Sequence, residues 1–204
     1  MAVKRLIYMA MVVMAATILS SCNKDEDMLT SQKDKIVKYL ASSRRMVEQS
    51  EVGNVIEENP PFYNAFGQSV YRHITNYYEA GRDEWSEVGA TSSVKIEFAA
   101  YTFNGSEPTI NNLYWSNIPA IISEFESKSG HNYSDLVWSD EPIVVQLGRG
   151  EVINGLEAAL VGCRDQDSVQ VYMTSEAAYG KQIIGSVPKN SSVAWYIKIL
   201  NVIK

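Results

Sequence analysis

The chain has 204 residues, 46% of them hydrophobic and 21% charged, with 12 glycines and 6 prolines, which is the composition of a globular protein of one domain plus elaborations rather than of a disordered one. Its formal charge is −6, or −8 without Lys4 and Arg5, and no basic patch stands out, which argues against a nucleic-acid partner or a polybasic membrane-surface mode. Cys22 and Cys163 allow at most one disulfide, and His73 and His131 sit in different segments without Cys or carboxylate ligand spacing, so no metal and no cofactor is expected.

In chain order, Lys4-Arg5 precede an apolar run from Leu6 to Leu19 that is too short for a comfortable membrane span and of the right length for a secretory signal, predicted here over residues 1–21. Leu19-Ser20-Ser21-Cys22 resembles a bacterial lipobox. That resemblance implies acylation of Cys22 with palmitate-type chains, which would explain why this thiol has no partner. It implies a lipoprotein of the cell envelope, held at the outer membrane by its lipid and facing the periplasm or the surface. Asn23-Lys24-Asp25-Glu26-Asp27 reads either as the lysine-plus-acidic export tag of bacterial surface lipoproteins or as a solvated tether.

Residues 22–61 are expected to hold this tether and an N-terminal helix. Ser31 and Asp34 have capping-box spacing, and Ile36, Val37, Leu40 and Val47 make a modest apolar stripe before Glu57-Glu58-Asn59-Pro60-Pro61 breaks the run. The main domain is expected over 62–204. Val70 to Ile74 suits its first strand, followed by Gly81 and a charged loop, Arg82 to Glu87. Val94, Ile96 and Phe98 alternate with Lys95 and Glu97 in a strand ending near Gly105. Between 106 and 141 an inserted helix is predicted: Asn117 as cap, Pro119 in the first turn, Ile118, Ile121, Ile122 and Phe125 on one face, and Gly130 after its end.

From Pro142 the signals are uninterrupted. Ile143 to Leu147 is a β-branched apolar run stopped by Gly148-Arg149-Gly150, a strand entering a turn. A short helix follows, with Asn154 as its cap, Glu157 reaching back, and Leu156, Ala159, Leu160 and Cys163 on one face. Val169, Val171 and Met173, then Val193, Trp195, Ile197 and Ile199, mark two strands of period two. The expected fold is α+β: a curled antiparallel sheet wrapped on a short helix, with an N-terminal helix and an inserted helix.

The ordered set Pro142, Leu147-Gly148, Val152-Ile153-Asn154-Gly155-Leu156-Glu157, Ala178-Tyr179-Gly180, Gly185, Val187-Pro188-Lys189-Asn190 and Trp195 resembles the C-terminal half of the FKBP-type peptidyl-prolyl isomerases. Each piece alone is weak; the order and spacing are specific over about a third of the chain. The resemblance implies isomerisation of X-Pro bonds in proline-containing peptides or unfolded exported proteins. It implies that Tyr179 donates its hydroxyl and Ile153 its backbone N–H to substrate carbonyls, while Phe98, Ile143, Val152, Leu156, Val187 and Trp195 line an apolar pocket. Against the family pattern, Leu156 replaces the tryptophan at the pocket floor, Ile143 the strand aromatic, Phe98 a tyrosine, Lys189 a proline and Trp195 a phenylalanine. The large residue at 195 can refill volume lost at 156. The family aspartate maps either to the stretch Tyr133-Ser134-Asp135 or to Tyr114-Trp115-Ser116-Asn117, in which case it is absent.

Other chemistries have less support. No Gly-x-Ser-x-Gly occurs, and neither histidine has a recognisable acid partner, so a hydrolase is not indicated. Cys163, on the apolar helix face, reads as an inert buried thiol. An alternative to the enzyme is a binding or chaperone-like lipoprotein that keeps the fold and has weak or no catalysis.

Overall fold

The computed structural model describes residues 24–58, 61–129 and 138–203, and the signal peptide, Cys22, Gly130, His131 and the 133–135 stretch lie outside them. Eight strands form one sheet: β1 (Arg45–Glu48), β2 (Phe62–Phe66), β3 (Val70–Ile74), β4 (Ser93–Phe103), β5 (Leu113–Ser116), β6 (Ile143–Gln146), β7 (Ser168–Met173) and β8 (Ser192–Ile203). Their order is β1-β2-β3-β7-β8-β4-β5, with β6 also on β4. The β1–β2 pair is parallel and every other pair antiparallel. The axis of the sheet is β4 against β8, paired from Ser93↔Ile203 to Phe103↔Ser192 with a register shift between Lys95 and Ile96. β6 and β5 occupy the free edge of β4 in series, β6 along Ser93–Ile96 and β5 along Ala99–Tyr101.

Period-two alternation assigns the two faces. One face gathers Val70, Val94, Ile96, Phe98, Val169, Val171, Met173, Val193, Trp195, Ile197 and Ile199 around the short helix α4 (Asn154–Leu160). Leu156, Ala159 and Leu160 are fully buried against it, as their helical spacing requires, and Cys163, expected on the same helical face, is also fully buried but lies past the end of α4, beyond the turn at Gly162. The opposite face is covered too. A helix over residues 24–41, α1, lays Ile36 and Leu40 on Tyr63, Ala65, Tyr71, Tyr172 and Ala194. The Tyr39 ring packs against Phe103 and Tyr172 at centroid distances of 5.3 and 5.7 Å. Beyond a short helix, α2 (Val52–Glu58), α3 (Pro119–Ser129) sets Ile121 and Phe125 on Ala99, Tyr101 and Leu113. Double coverage explains why the alternation of β4 breaks down at Phe98-Ala99-Ala100-Tyr101, four consecutive buried residues.

Several expectations are corrected here. The N-terminal helix is already formed at residue 24, so Ser31 lies inside it and caps nothing. Val47 is on β1 rather than on that helix, and the sheet begins at Arg45, two strands ahead of Val70. The helix that begins at residue 24 is docked on the domain through Gln32, Ile36 and Leu40 rather than extended as a tether, while much of its first two turns is exposed. The inserted helix does not lie beside the pocket but on the other side of the sheet. Asn117 does not cap it either. Its buried side chain accepts the Phe98 N–H (2.7 Å) and donates to the Ile96 and Glu141 carbonyls (3.0 and 3.2 Å), clamping β4 to the chain before β6. Arg82, expected in a charged surface loop, is 6% exposed and paired with the fully buried Asp167.

Candidate functional site

The site is built where the N-terminal end of α4 meets the turn after β7. Ile153 is the N-cap, in an extended conformation, and no side chain caps the helix. Asn154 is thus the first helical residue and not the cap. Glu157 reaches past it to accept the N–H groups of Gly148 and Gly150 (3.2 Å each), which ties the turn after β6 to α4. The Ile153 carbonyl accepts from Leu156 and Glu157, while its own N–H donates no hydrogen bond among the described residues. Gly155 is fixed by close approach. Its N–H donates to the Ala177 carbonyl at 2.9 Å, and a Cβ there would lie 2.7 Å from Met173 Sδ and 2.8 Å from that carbonyl. Any larger residue would push α4 away from the turn that carries Tyr179.

That turn is braced from both sides. Gly180 N–H donates to Ser175 O and Asn190 N–H to Gly180 O, each at 2.7 Å, with Gly180 and Asn190 both at positive φ. Gln32 of α1, almost fully buried, accepts the Ser175 N–H (2.8 Å) and donates to the Asn190 carbonyl (2.7 Å). A helix on the far face of the sheet therefore positions the two loops that bracket Tyr179. The Tyr179 hydroxyl meets that of Tyr114 at 3.3 Å, with the rings edge to face. Burial raises the pKa of Tyr179, an effect partly offset by the bond to Tyr114, and lifts Tyr114 well above 10. Both hydroxyls are therefore neutral donors at physiological pH.

All eight expected pocket residues fall in or against one apolar cluster. They divide into two groups. Phe98, Leu156, Val187 and Trp195 are 0–2% exposed and form a packed floor, whereas Ile143, Val152, Ile153 and Tyr179 are half-buried around it. Trp195 stacks on Phe98 at 4.7 Å, and Trp115 meets Phe98 edge-on at 4.8 Å and Trp195 at 5.9 Å. The Trp195 indole N–H is buried beside the Tyr114 hydroxyl, which it helps to polarise, but makes no hydrogen bond of ordinary geometry among the described residues. An unmade donor in an apolar enclosure is costly and marks a place where an acceptor would be favoured.

Sequence reasoning missed Gln32 as part of this site and reached Trp115 only as a member of the stretch Tyr114-Trp115-Ser116-Asn117, without a role. Nothing in their spacing announces them, because both arrive through pairings between distant segments. The segment 114–117 lies against Phe98 and Trp195 and carries no carboxylate. Among the described residues no group of three or more His, Cys, Asp or Glu side chains could hold a metal. His73 is buried with its Nδ1 2.7 Å from the Phe62 carbonyl. No helix of the described residues is long and apolar enough to cross a membrane.

Comparison with known proteins bears on the same segment. Residues 123–200 match the family model of the FKBP-type peptidyl-prolyl cis-trans isomerases. FK506-binding protein 3 of Kluyveromyces lactis is 33% identical over 63 residues, and a peptidyl-prolyl cis-trans isomerase of Saccharomyces cerevisiae is 32% identical over 63. Each match covers 31% of this chain and 15% of the relative's length. Among solved structures, the N-terminal domain of FKBP42 from Arabidopsis thaliana superposes with a TM-score of 0.49 at 15% identity, over 70% of this chain and 92% of that one.

Proposed function

Since residues 123–200 are an FKBP-type segment, we propose that the protein is a peptidyl-prolyl cis-trans isomerase that assists folding of exported proteins in the cell envelope. The observation that supports it best is a set of uncharged donors around one apolar floor: the Tyr179 hydroxyl beside that of Tyr114, the Trp195 indole N–H directed near the same Tyr114 hydroxyl, and the unengaged N–H of Ile153. Rotating a prolyl amide means breaking its resonance against a barrier of roughly 20 kcal/mol, and the reaction needs no nucleophile. A dry aromatic floor disfavours the planar, more dipolar amide relative to its twisted transition state. Donors at the rim hold the neighbouring carbonyls while the bond turns, so that catalysis is differential binding. None of these donors titrates near neutrality, and turnover is expected to be flat between about pH 6 and 9.

A protease-coupled assay on proline tetrapeptides tests this. Tyr179→Phe is expected to lower kcat/KM about two- to tenfold, the worth of one placed hydrogen bond. It also removes the partner of the Tyr114 hydroxyl and so costs about 1 kcal/mol of stability, a cost that Tyr114→Phe shares. A folded wild-type protein whose rate equals that of buffer rules out the enzyme. A second reading, a binding or chaperone-like module with weak catalysis, draws on the closed floor in which Leu156 and Trp195 are 0% and 2% exposed. It is distinguished by saturable binding of the same peptides without turnover.

The envelope location rests on the Leu19-Ser20-Ser21-Cys22 motif. With the packed helix α1 already in place from residue 24, acyl chains on Cys22 would hold the domain close to the membrane surface. One chain binds a membrane only marginally, and several hold it stably. Incorporation of labelled palmitate and partition with membranes are expected for the wild type and lost in Cys22→Ala; a soluble, unlabelled wild type refutes the anchor.

A further inference from the structure

The other end of α4 carries a feature that isomerase chemistry does not use. Arg72 of β3 is 7% exposed and forms no ion pair among the described residues. Its Nη1 donates to the carbonyls of Ala159 and Val161 (2.8 and 2.7 Å), satisfying the end of α4, and the guanidinium lies over the Phe66 ring at 4.8 Å. This accounts for one nitrogen. Nε is buried with no partner, and Nη2 donates no hydrogen bond among the described residues. Directly across the β2–β3 ladder, Asn64 is 2% exposed; its Nδ2 donates to Gln49 Oε1, and its Oδ1 is left unpaired.

Arg72 and Asn64 line the same cleft of about 340 Å³, in which Phe62, Ile74, Tyr77 and Val161 supply apolar wall and Gln49 and Glu87 further polar wall. Among the described residues the one carboxylate on its wall, Glu87, faces Arg164 at 3.4 Å and is 60% exposed, so it does not neutralise Arg72. A buried cation without a counter-charge is strongly disfavoured. The Nε–Nη2 edge of a guanidinium presents two parallel N–H groups, the geometry that takes a carboxylate by both oxygens. The Asn64 and Gln49 amides can turn over together, which keeps their mutual bond and swings the Asn64 Nδ2 into the cleft as a third donor. We propose that this cleft binds a carboxylate with an apolar body, either a free aryl or alkyl acid or the C-terminal residue of a peptide. Arg72 Nε and Nη2 grip the carboxylate, and the aromatic walls take the body.

The test is titration of the full chain by calorimetry and by amide chemical shifts. The probes are N-acetylphenylalanine, its amide, 3-phenylpropanoate and a tripeptide ending in free phenylalanine. The acids are expected to bind saturably and at least tenfold more tightly than the amide, with shifts centred on β2, β3 and the end of α4. A preference for 3-phenylpropanoate identifies a free acid, and a preference for the tripeptide a chain terminus. Arg72→Lys keeps the charge but loses the planar edge, and should weaken binding at least tenfold. Ala158→Trp, at an exposed helical position on the cleft wall, should block binding without touching the guanidinium, so it decides the matter even if Arg72→Lys fails to fold. Equal affinity for acid and amide, unchanged affinity in folded Ala158→Trp, or no binding of any acid at millimolar concentration would overturn the proposal and leave the two atoms to ordered water.

Discussion

The two ends of α4 solve the burial of polar groups in opposite ways. At its N-terminal end the groups that face the apolar floor are neutral: two tyrosine hydroxyls, an indole N–H and a backbone N–H set among aromatic rings, with the Glu157 carboxylate turned to the Gly148 and Gly150 N–H groups. At its C-terminal end the groups are charged, with Arg72 capping the helix and Arg82 paired to Asp167 while stacking on Tyr77 at 4.6 Å. A helix of seven residues, about 10 Å long, separates them. The difference teaches that the neutral end can be emptied or filled by a substrate at little electrostatic cost, whereas the charged end must be satisfied at all times. The first is suited to turnover and the second to stability or to a ligand that brings a counter-charge.

The largest effect should come from breaking the charged end. Asp167, fully buried, accepts from Arg82 Nε and Nη2 and from the Arg164 backbone N–H, all at 2.7 Å. Asp167→Ala strands the Arg82 charge and is expected to cost about 3–5 kcal/mol in urea unfolding. Turnover by the molecules that remain folded should be unchanged, and a parallel fall in turnover would show the ends to be coupled.

Next in size is a repacking of the neutral end. Leu156→Trp, which places the family's residue in a floor already filled by Trp195, should cost about 1–3 kcal/mol by overpacking. Adding Trp195→Phe returns the volume and should recover most of that loss. If the double variant is no more stable than Leu156→Trp alone, the two side chains do not share one space and the description of the floor is wrong.

A smaller effect separates His73 from both ends. Burial lowers its pKa from 6.5 to about 4 and keeps it neutral, and its bond to the Phe62 carbonyl offsets this only in part. A histidine depressed in the folded state contributes no penalty above its unfolded pKa. The fold then loses stability as pH falls from about 6.5 towards 4, where only the unfolded chain takes up the proton, by about 3 kcal/mol in total. His73→Gln should flatten that part of the stability profile. A wild-type profile that stays level down to pH 5 contradicts the assignment.

Much of the candidate site was legible before any coordinates, and the reason is local. Leu156, Ala159, Leu160 and Cys163 repeat at helical spacing, and Val193, Trp195, Ile197 and Ile199 at strand spacing, so a one-dimensional pattern already states which side of each element is dry. The turn at Tyr179 is likewise closed by neighbours in sequence, which is why a short motif could point to it, whereas the close approach at Gly155 is made to Met173 and Ala177, well along the chain. Periodicity does not say which other element covers a face. It could not tell that α1 and α3 lie behind the sheet rather than beside the pocket, or that Val47 belongs to a strand. Nor could it anticipate polar partners contributed from afar: Arg82 and Asp167 are 85 positions apart, Gln32 and Ser175 are 143 apart, and Arg72 and Ala159 are 87 apart. Such contacts form only after the sheet has brought the segments together, and the hydrogen bonds that a buried polar group must find are decided by that assembly, not by the residues on either side of it.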